Sequence, residues 1–285
     1  MFMDEKYLKN VEKCPWCESS ESILQYINKY DAKVVRCIKC GLVYSKKVLN
    51  SVGIQKYWEN YESKVHNRDK ELLNKRKIMY SLDFNFIKPF IKEGNKVLDV
   101  GCADGSFLEF FEKYNMQCYG VEIGDEAYKE ANKKYKVYKG DFEKIQIDQK
   151  FDLIIFRGTL QYFFNPKEYI KVAMELLNEG GYLYITSSPN SESICFKLFK
   201  EKFTLPVSVT DYYAFSESIL TEYITKLKGE LVCKYNFYKE TPYANVEEDI
   251  KKVARAIKLQ EEGKDIKFGS PAFFDNMLTL VYRKQ

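Results

Sequence analysis

The sequence predicts an α/β protein built on a doubly wound, mostly parallel sheet, with a small four-cysteine module at its N-terminus. Three observations predict it. Val97-Leu98-Asp99-Val100 is an apolar strand that runs into the small-residue turn Gly101-Cys102-Ala103-Asp104-Gly105, after which Phe107, Leu108 and Phe111 recur at helical spacing. Phe151 to Phe156 is a continuous apolar run, as a strand covered on both faces should be. Cys14-Pro15-Trp16-Cys17 and Cys37-Ile38-Lys39-Cys40-Gly41 form two Cys-x-x-Cys knuckles with nineteen residues between them. At 285 residues the chain can hold one large core plus a small module.

From the N-terminus, residues 1–49 read as a zinc ribbon. Each knuckle turns two thiolates toward one point, and Gly41 frees the backbone after the last ligand. Four ligands (Cys14, Cys17, Cys37, Cys40) leave a zinc ion no open position, so its role would be structural. Val34, Val35, Leu42, Val43 and Tyr44 supply the flanking strands. Two disulfides are the alternative. The opening Met-Phe-Met-Asp-Glu-Lys has no apolar signal segment, which favours a reducing, cytoplasmic setting and hence a metal. Residues 50–93 are a helical segment in which Tyr57, Trp58, Tyr61, Tyr80, Phe84, Phe86 and Ile87 stand among many charges.

Residues 94–285 carry the sheet. Cys118 to Val121 is its second strand, with Glu122 at the end; Lys136 to Lys139 is a short third, followed by Gly140-Asp141-Phe142. The fourth leads into Arg157-Gly158-Thr159-Leu160-Gln161-Tyr162. Asn165 caps a helix with Pro166 at its first position, the helix stops at Asn178-Glu179-Gly180-Gly181, and Tyr182 to Thr186 is the fifth strand. Ser191 to Asp211 shows no strand pattern. Ser216 caps a further helix that Gly229 stops. Leu231 to Tyr238 and Met277 to Tyr282 are two more strands, with a charged helix near Val246 to Glu261 between them.

Asp99 selects the cofactor. A carboxylate two residues before the first glycine would repel a pyrophosphate at a helix N-terminus. A phosphate-free cofactor with a cationic amino-acid end, such as S-adenosylmethionine (SAM), would welcome it. Glu122, about twenty residues beyond the turn, is placed to accept both ribose hydroxyls. On these residues the stretch from about Asn95 to Asn190 resembles the class I SAM-dependent methyltransferases, whose first motif reads acid-x-Gly-x-Gly-x-Gly. Here Ala103 replaces the middle glycine, which is tolerable provided its φ stays negative. The resemblance implies a Rossmann-like seven-stranded sheet completed by the last strand pair, and a lid made by the helices before the core. An amphipathic helix packed on the sheet is the alternative for those helices. It also implies a cofactor site of Asp99, Gly101, Cys102, Ala103, Gly105, Glu122, Ile123, Asp141, Phe142 and Arg157. In it Asp141 takes the adenine amino group and Phe142 lies against the ring. Cys102 is there for its small size and is not read as a nucleophile.

The net charge of +4 is mild, and 39 of the 45 basic residues are lysine, alternating with acids along helix faces. That is the pattern of a solvated surface; a nucleic-acid groove would cluster arginine. No apolar run approaches the eighteen or so residues that span a bilayer. A sulfonium methyl is already activated, so such a protein must hold the acceptor in line and exclude water, and an oxygen acceptor also needs a base. Many relatives carry histidine in the fourth motif, where this chain has Tyr162. The candidates for the base are His66 (the single histidine), Tyr162 and Tyr61, with Asp211 and Tyr213 behind them. Arg157 suits a phosphorylated or carboxylated acceptor, or an ion pair with a neighbouring acid.

The pairing of ribbon and core resembles a group of bacterial methyltransferases acting on saccharides and other small metabolites. It implies O-methylation of a sugar or surface-polysaccharide precursor, with the acceptor-pocket wall near residues 190–216. The C-methyltransferases of that group carry a further C-terminal domain, for which this chain lacks the length. Two other readings stand beside it. An RNA methyltransferase would grip nucleic acid through ribbon lysines (Lys13, Lys33, Lys39, Lys46, Lys47). A catalytically silent partner subunit is disfavoured by the intact Asp99, Glu122 and Asp141. The expected partner is a small acceptor, sugar-like or nucleotide-linked, with no nucleic acid and no membrane span; a homodimer is left open.

Overall fold

Strands buried on both faces must lie at the centre of a sheet. Here β6 (Lys96–Val100), β9 (Phe151–Arg157) and β10 (Leu177–Pro189) do so, with Leu98, Ile154, Ile155 and Ile185 fully buried. The structure is a computed structural model and describes residues 4–65 and 70–285, without the side chains of 59–65. With β7 (Gln117–Glu122), β8 (Lys136–Lys139), β12 (Gly229–Lys234) and β13 (Met277–Lys284), these strands form a seven-stranded sheet in the order β12-β13-β10-β9-β6-β7-β8. The five from β8 to β10 in that order are parallel, whereas β13 runs antiparallel to both β10 and β12. The chain goes from β6 outward to β7 and β8, then returns to place β9 on the other side of β6. That reversal opens a crevice at the carboxyl ends of β6 and β9, the place where doubly wound sheets bind ligands.

The helices follow from caps and apolar stripes. In α2 (Lys70–Ile87), Tyr80, Asp83, Phe84 and Ile87 share one buried face. That face packs on Phe107 and Phe111 around α3 (Leu108–Glu112), so α2 is the amphipathic packing helix. α1 (Ser51–Val65) instead lays Trp58 edge-on against Tyr162 at 5.4 Å between ring centroids. α4 (Asp125–Ala131) joins β7 to β8, and α5 (Pro166–Leu176) joins β9 to β10. Ser216 caps α7 (Glu217–Lys226) by accepting from the Ile219 amide, and Asn245 caps α8 (Val246–Glu261) at the Glu248 amide.

Local expectations are corrected at several points. Asn165 stands at the N-cap of α5 but makes no side-chain cap bond. The α5 helix ends at Leu176, and β10 begins immediately, with a bulge before Tyr182. Lys228, not Gly229, takes the left-handed conformation (φ +64°) after α7. Gly229 is instead required by space, since a Cβ there would lie 2.3 Å from Ile224 Cγ2. The patternless stretch after Asn190 contains α6 (Ile194–Phe199), capped by Ser193.

The N-terminal strands β1 (Leu8–Asn10) and β5 (Lys47–Leu49) pair with each other. β2 (Ser22–Ile27), β3 (Lys33–Cys37) and β4 (Val43–Ser45) form an antiparallel sheet whose fourth strand, β11 (Tyr213–Ala214), comes from the far end of the sequence. Tyr26, Val34 and Val43 share a core with Phe196 and Phe199 of α6 and with Val253 and Ala256 of α8. Trp16 packs edge-on against Phe215 and Tyr223. The ribbon is therefore stitched into the molecule rather than hung from it.

Candidate active site

The turn after β6 is shaped by its neighbours. The Gly101 and Cys102 amides both donate to the Val121 carbonyl, which folds the turn back over β7. Gly101 has φ +80°, and a Cβ there would sit 2.7 Å from the Thr159 methyl in the loop after β9. Only glycine lets the two loops meet. Ala103 has φ +50°, so the expectation of a negative φ is overturned. An L-residue is strained there, and its amide is held by the Glu122 carboxylate at 2.8 Å. The other Glu122 oxygen accepts from the Ile123 and Gly124 amides, each at 2.8 Å. Three backbone donors thus fix this carboxylate at the mouth of the crevice.

Asp99 is 3 % exposed, and its Oδ1 has no hydrogen-bond partner among the described residues. Burial pushes its carboxyl up to about 7; Arg157 pulls the other way, and the charges of Glu122 and Asp83 add to the rise. Thr159 Oγ1, across the crevice, is likewise buried without a partner. Unsatisfied polar atoms converging at the end of a central strand are what a missing polar ligand leaves behind. A cationic ammonium would satisfy Asp99, and the residues therefore fit SAM.

The other expected contacts divide. Asp141 is half-exposed, accepting from the Tyr169 hydroxyl and from Lys144 Nζ at 2.7 Å. Phe142 is turned into the core against Phe156 and Tyr169, so its ring has no face to offer a purine. Ile123, next to Glu122, is instead widely exposed. Cys102 is buried, and burial drives its thiol well above the ordinary range, which removes it as a nucleophile.

Arg157 does not stand free for an acceptor. Its Nε donates to Asp83 of α2 at 2.8 Å, and its guanidinium lies 4.4 Å from the Tyr80 ring centroid. Burial opposes its charge, but Asp83 more than offsets this and holds Arg157 above its ordinary value. Asp83 also accepts from Tyr184 and Thr186, each at 2.9 Å. This fully buried carboxylate went unnoticed in the sequence. Its signal was there: an acid on the same helical face as Tyr80, Phe84 and Ile87.

Of the candidates for the base, His66 lies outside the described residues, and Tyr61 lies in α1 with its side chain also outside them. Tyr213 is buried and donates to the Phe164 carbonyl at 3.0 Å. Tyr162 ends the short turn Leu160–Tyr162 after β9, and the Tyr212 amide beside Asp211 donates to the Gln161 carbonyl of that turn at 3.0 Å. Asp211 accepts from Thr210 Oγ1 at 2.9 Å and from Ser208 Oγ at 3.3 Å.

The four knuckle sulfurs lie within 4.8 Å of one another, with Cys14 and Cys40 at 3.6 Å and Cys17 and Cys37 at 3.5 Å. Tetrahedral bonds of ~2.3 Å put sulfurs ~3.8 Å apart, whereas a disulfide needs ~2.0 Å. The set converges as four, not as two bonded pairs, and fits a tetrahedral thiophilic ion. The contact with Cys40 pulls the Cys14 thiol down to about 5 and drives Cys40 up.

The comparisons with known proteins agree with this geometry. The profile of a family described as a methyltransferase domain matches residues 66–219, more than half of the chain. A ubiquinone biosynthesis O-methyltransferase of Nitrosospira multiformis is 27 % identical over 135 residues, covering 43 % of this chain and 56 % of its own. The chain thus spans a little over half the length of that relative. An uncharacterised protein of Methanocaldococcus jannaschii is 28 % identical over 150 residues, 52 % of this chain and 66 % of that one. Among solved structures, a SAM-dependent methyltransferase of Thermotoga maritima superposes with a TM-score of 0.55 at 20 % identity, covering 80 % of this chain and 99 % of the other. One from Clostridium acetobutylicum gives 0.52 at 15 % identity, over 79 % and 98 %. At such identities the likeness is one of fold. It is the profile match, over the segment that holds the glycine turn, Asp99 and Glu122, that places the sequence: the chain belongs to the methyltransferase domain family.

Proposed function

We propose that the chain transfers a methyl group from SAM to a hydroxyl of a small, sugar-like or nucleotide-linked acceptor. The observation that carries the cofactor is the buried, unpartnered Asp99 oxygen at the carboxyl end of β6, opposite Thr159. When bound, SAM supplies a methyl group already activated on a sulfonium. Asp99 would hold the ammonium of its amino-acid end, and Glu122 the ribose hydroxyls. The exposed Ile123 offers the apolar surface for its adenine, with Asp141 alongside. The protein's remaining task is to exclude water and orient the acceptor in line. Oxygen as the acceptor atom is supported by the name of the ubiquinone-biosynthesis relatives. We assign zinc to Cys14, Cys17, Cys37 and Cys40, in a structural role, because all four thiolates are needed to close the tetrahedron.

Calorimetry tests the cofactor. SAM is expected to bind with micromolar affinity and NAD not at all. Glu122→Ala weakens binding by leaving the ribose hydroxyls unpaired; affinity equal to wild type would show that the site is elsewhere. Transfer of labelled methyl to tRNA, with a steep salt dependence, would replace the small-acceptor reading with the RNA one.

A further inference from the structure

Helix α8 lies in the excursion between β12 and β13 and is fastened by one face, on which Asp249, Val253 and Ala256 are buried. Val253 and Ala256 share a core with Phe196 and Phe199 of α6. Asp249 accepts from the Tyr238 hydroxyl at 3.1 Å and from the Asn245 amide at 2.8 Å. About a quarter turn around the helix, at ~100° per residue, runs a second apolar row that stays open to solvent. Tyr243, just before the helix, is 49 % exposed, Val246 44 % and Ile250 52 %. The exposed Ala254 and the half-buried Ile257 continue it. A single exposed apolar residue needs no explanation, but a row of them at helical spacing does.

The row reads the same in both directions. Its spacings, from Tyr243 through Val246, Ile250 and Ala254 to Ile257, are three, four, four and three residues, symmetric about Ile250. A second, antiparallel α8 related by a two-fold axis at Ile250 therefore sets Ile250 on the partner's Ile250 and Val246 on the partner's Ala254. Tyr243 then meets the partner's Ile257.

The charges agree with that orientation. Glu247 and Lys251 border the row on its solvent side and form an i,i+4 ion pair at 2.6 Å. In the antiparallel arrangement the partner's Lys251 lies two residues from the level of Glu247, an offset of ~3 Å along the axis. Each Glu247 then has a lysine from either chain, and the two ion pairs close into a ring of four alternating charges. In a parallel arrangement Glu247 would instead face the partner's Glu247.

We propose that α8 is a self-docking surface, through which two copies of this chain pair as antiparallel helices about a two-fold axis at Ile250. The inference does not depend on the methyl-transfer reading. Val246 to Ile257 spans only ~17 Å of helix. The contact is thus at the small end of specific interfaces, and the dimer dissociates in the micromolar range.

Sedimentation equilibrium of the full chain at low salt, from about 1 to about 300 µM, tests this. Wild type is expected to pass from monomer to dimer over that range. Ile250→Glu puts two like charges on the two-fold axis and raises the dissociation constant by ~30-fold or more. It keeps a good helix former at an exposed position, so circular dichroism is expected to be unchanged. Glu247→Lys alone weakens the dimer by about tenfold, and adding Lys251→Glu, which restores the alternation of charge, recovers most of the loss. A wild type that stays monomeric throughout, or a dimer as tight in Ile250→Glu as in wild type, overturns the proposal. A double variant no tighter than Glu247→Lys alone overturns the antiparallel arrangement.

Discussion

The carboxyl of Asp99 is held near neutrality by burial, and the sign of its effect on binding follows from that. Its folded-state value lies above the unfolded one, so between about pH 4 and pH 7 the free folded chain holds a proton that the unfolded chain has released. This group's contribution to stability is present at low pH and is lost as pH rises toward 7. A cationic ligand favours the ionised form, so SAM affinity should strengthen as pH rises to about 7 and then level off. Below that point the slope is at most about tenfold per pH unit. Calorimetry between pH 5.5 and 8 checks this, and Asp99→Asn should flatten the curve. Asp83 is the second residue on which much depends, since it joins α2 to β9 and β10 through Arg157, Tyr184 and Thr186. Asp83→Ala leaves a buried guanidinium unpaired and should cost about 3 kcal/mol or more of unfolding free energy; urea denaturation measures it. Asp99 was legible because it sits at a fixed offset from a glycine turn. Asp83 was harder to see because its partners lie seventy or more residues away.

Among the elements, β11 changes what the ribbon is for. Its two residues pair with β4, and the same segment is tied on its other side to Gln161. Through β3 and β4 the four-cysteine cluster is therefore joined to the segment that reaches the loop after β9. Cys14→Ser and Cys40→Ser should each abolish zinc in reduced protein, read by metal analysis. Amide exchange should accelerate at Val43–Ser45 and Tyr213–Ala214, with little change in β6 and β7. The knuckles were plain in the sequence because Cys-x-x-Cys spacing is a local geometric requirement. The strand they support was not, because a two-residue strand has too little periodicity to read. Its only warrant is the hydrogen bonds it makes with a distant partner.

For the whole molecule, the methyltransferase architecture stands on the strand order and on the crevice between β6 and β9. A ligand that binds only the folded crevice must stabilise the entire cooperative unit. SAM at a hundred times its dissociation constant should therefore raise unfolding stability by about 2.7 kcal/mol, and NAD should raise it by nothing; thermal melting reads both. No described helix is long and apolar enough to cross a membrane. By itself the sequence determined the parallel strands, the glycine turn with its acid, the four-cysteine cluster and the charged α8 helix. Each of these is set by composition or spacing within a few dozen residues, where backbone geometry and burial act locally. Tertiary structure alone decided that Arg157 pairs with Asp83, that Phe142 faces inward, that Ala103 accepts a left-handed φ, and that β11 pairs with β4. Those outcomes depend on which distant groups share a buried space, and the cost of leaving a charge or polar atom unpaired there is fixed only once the chain has folded.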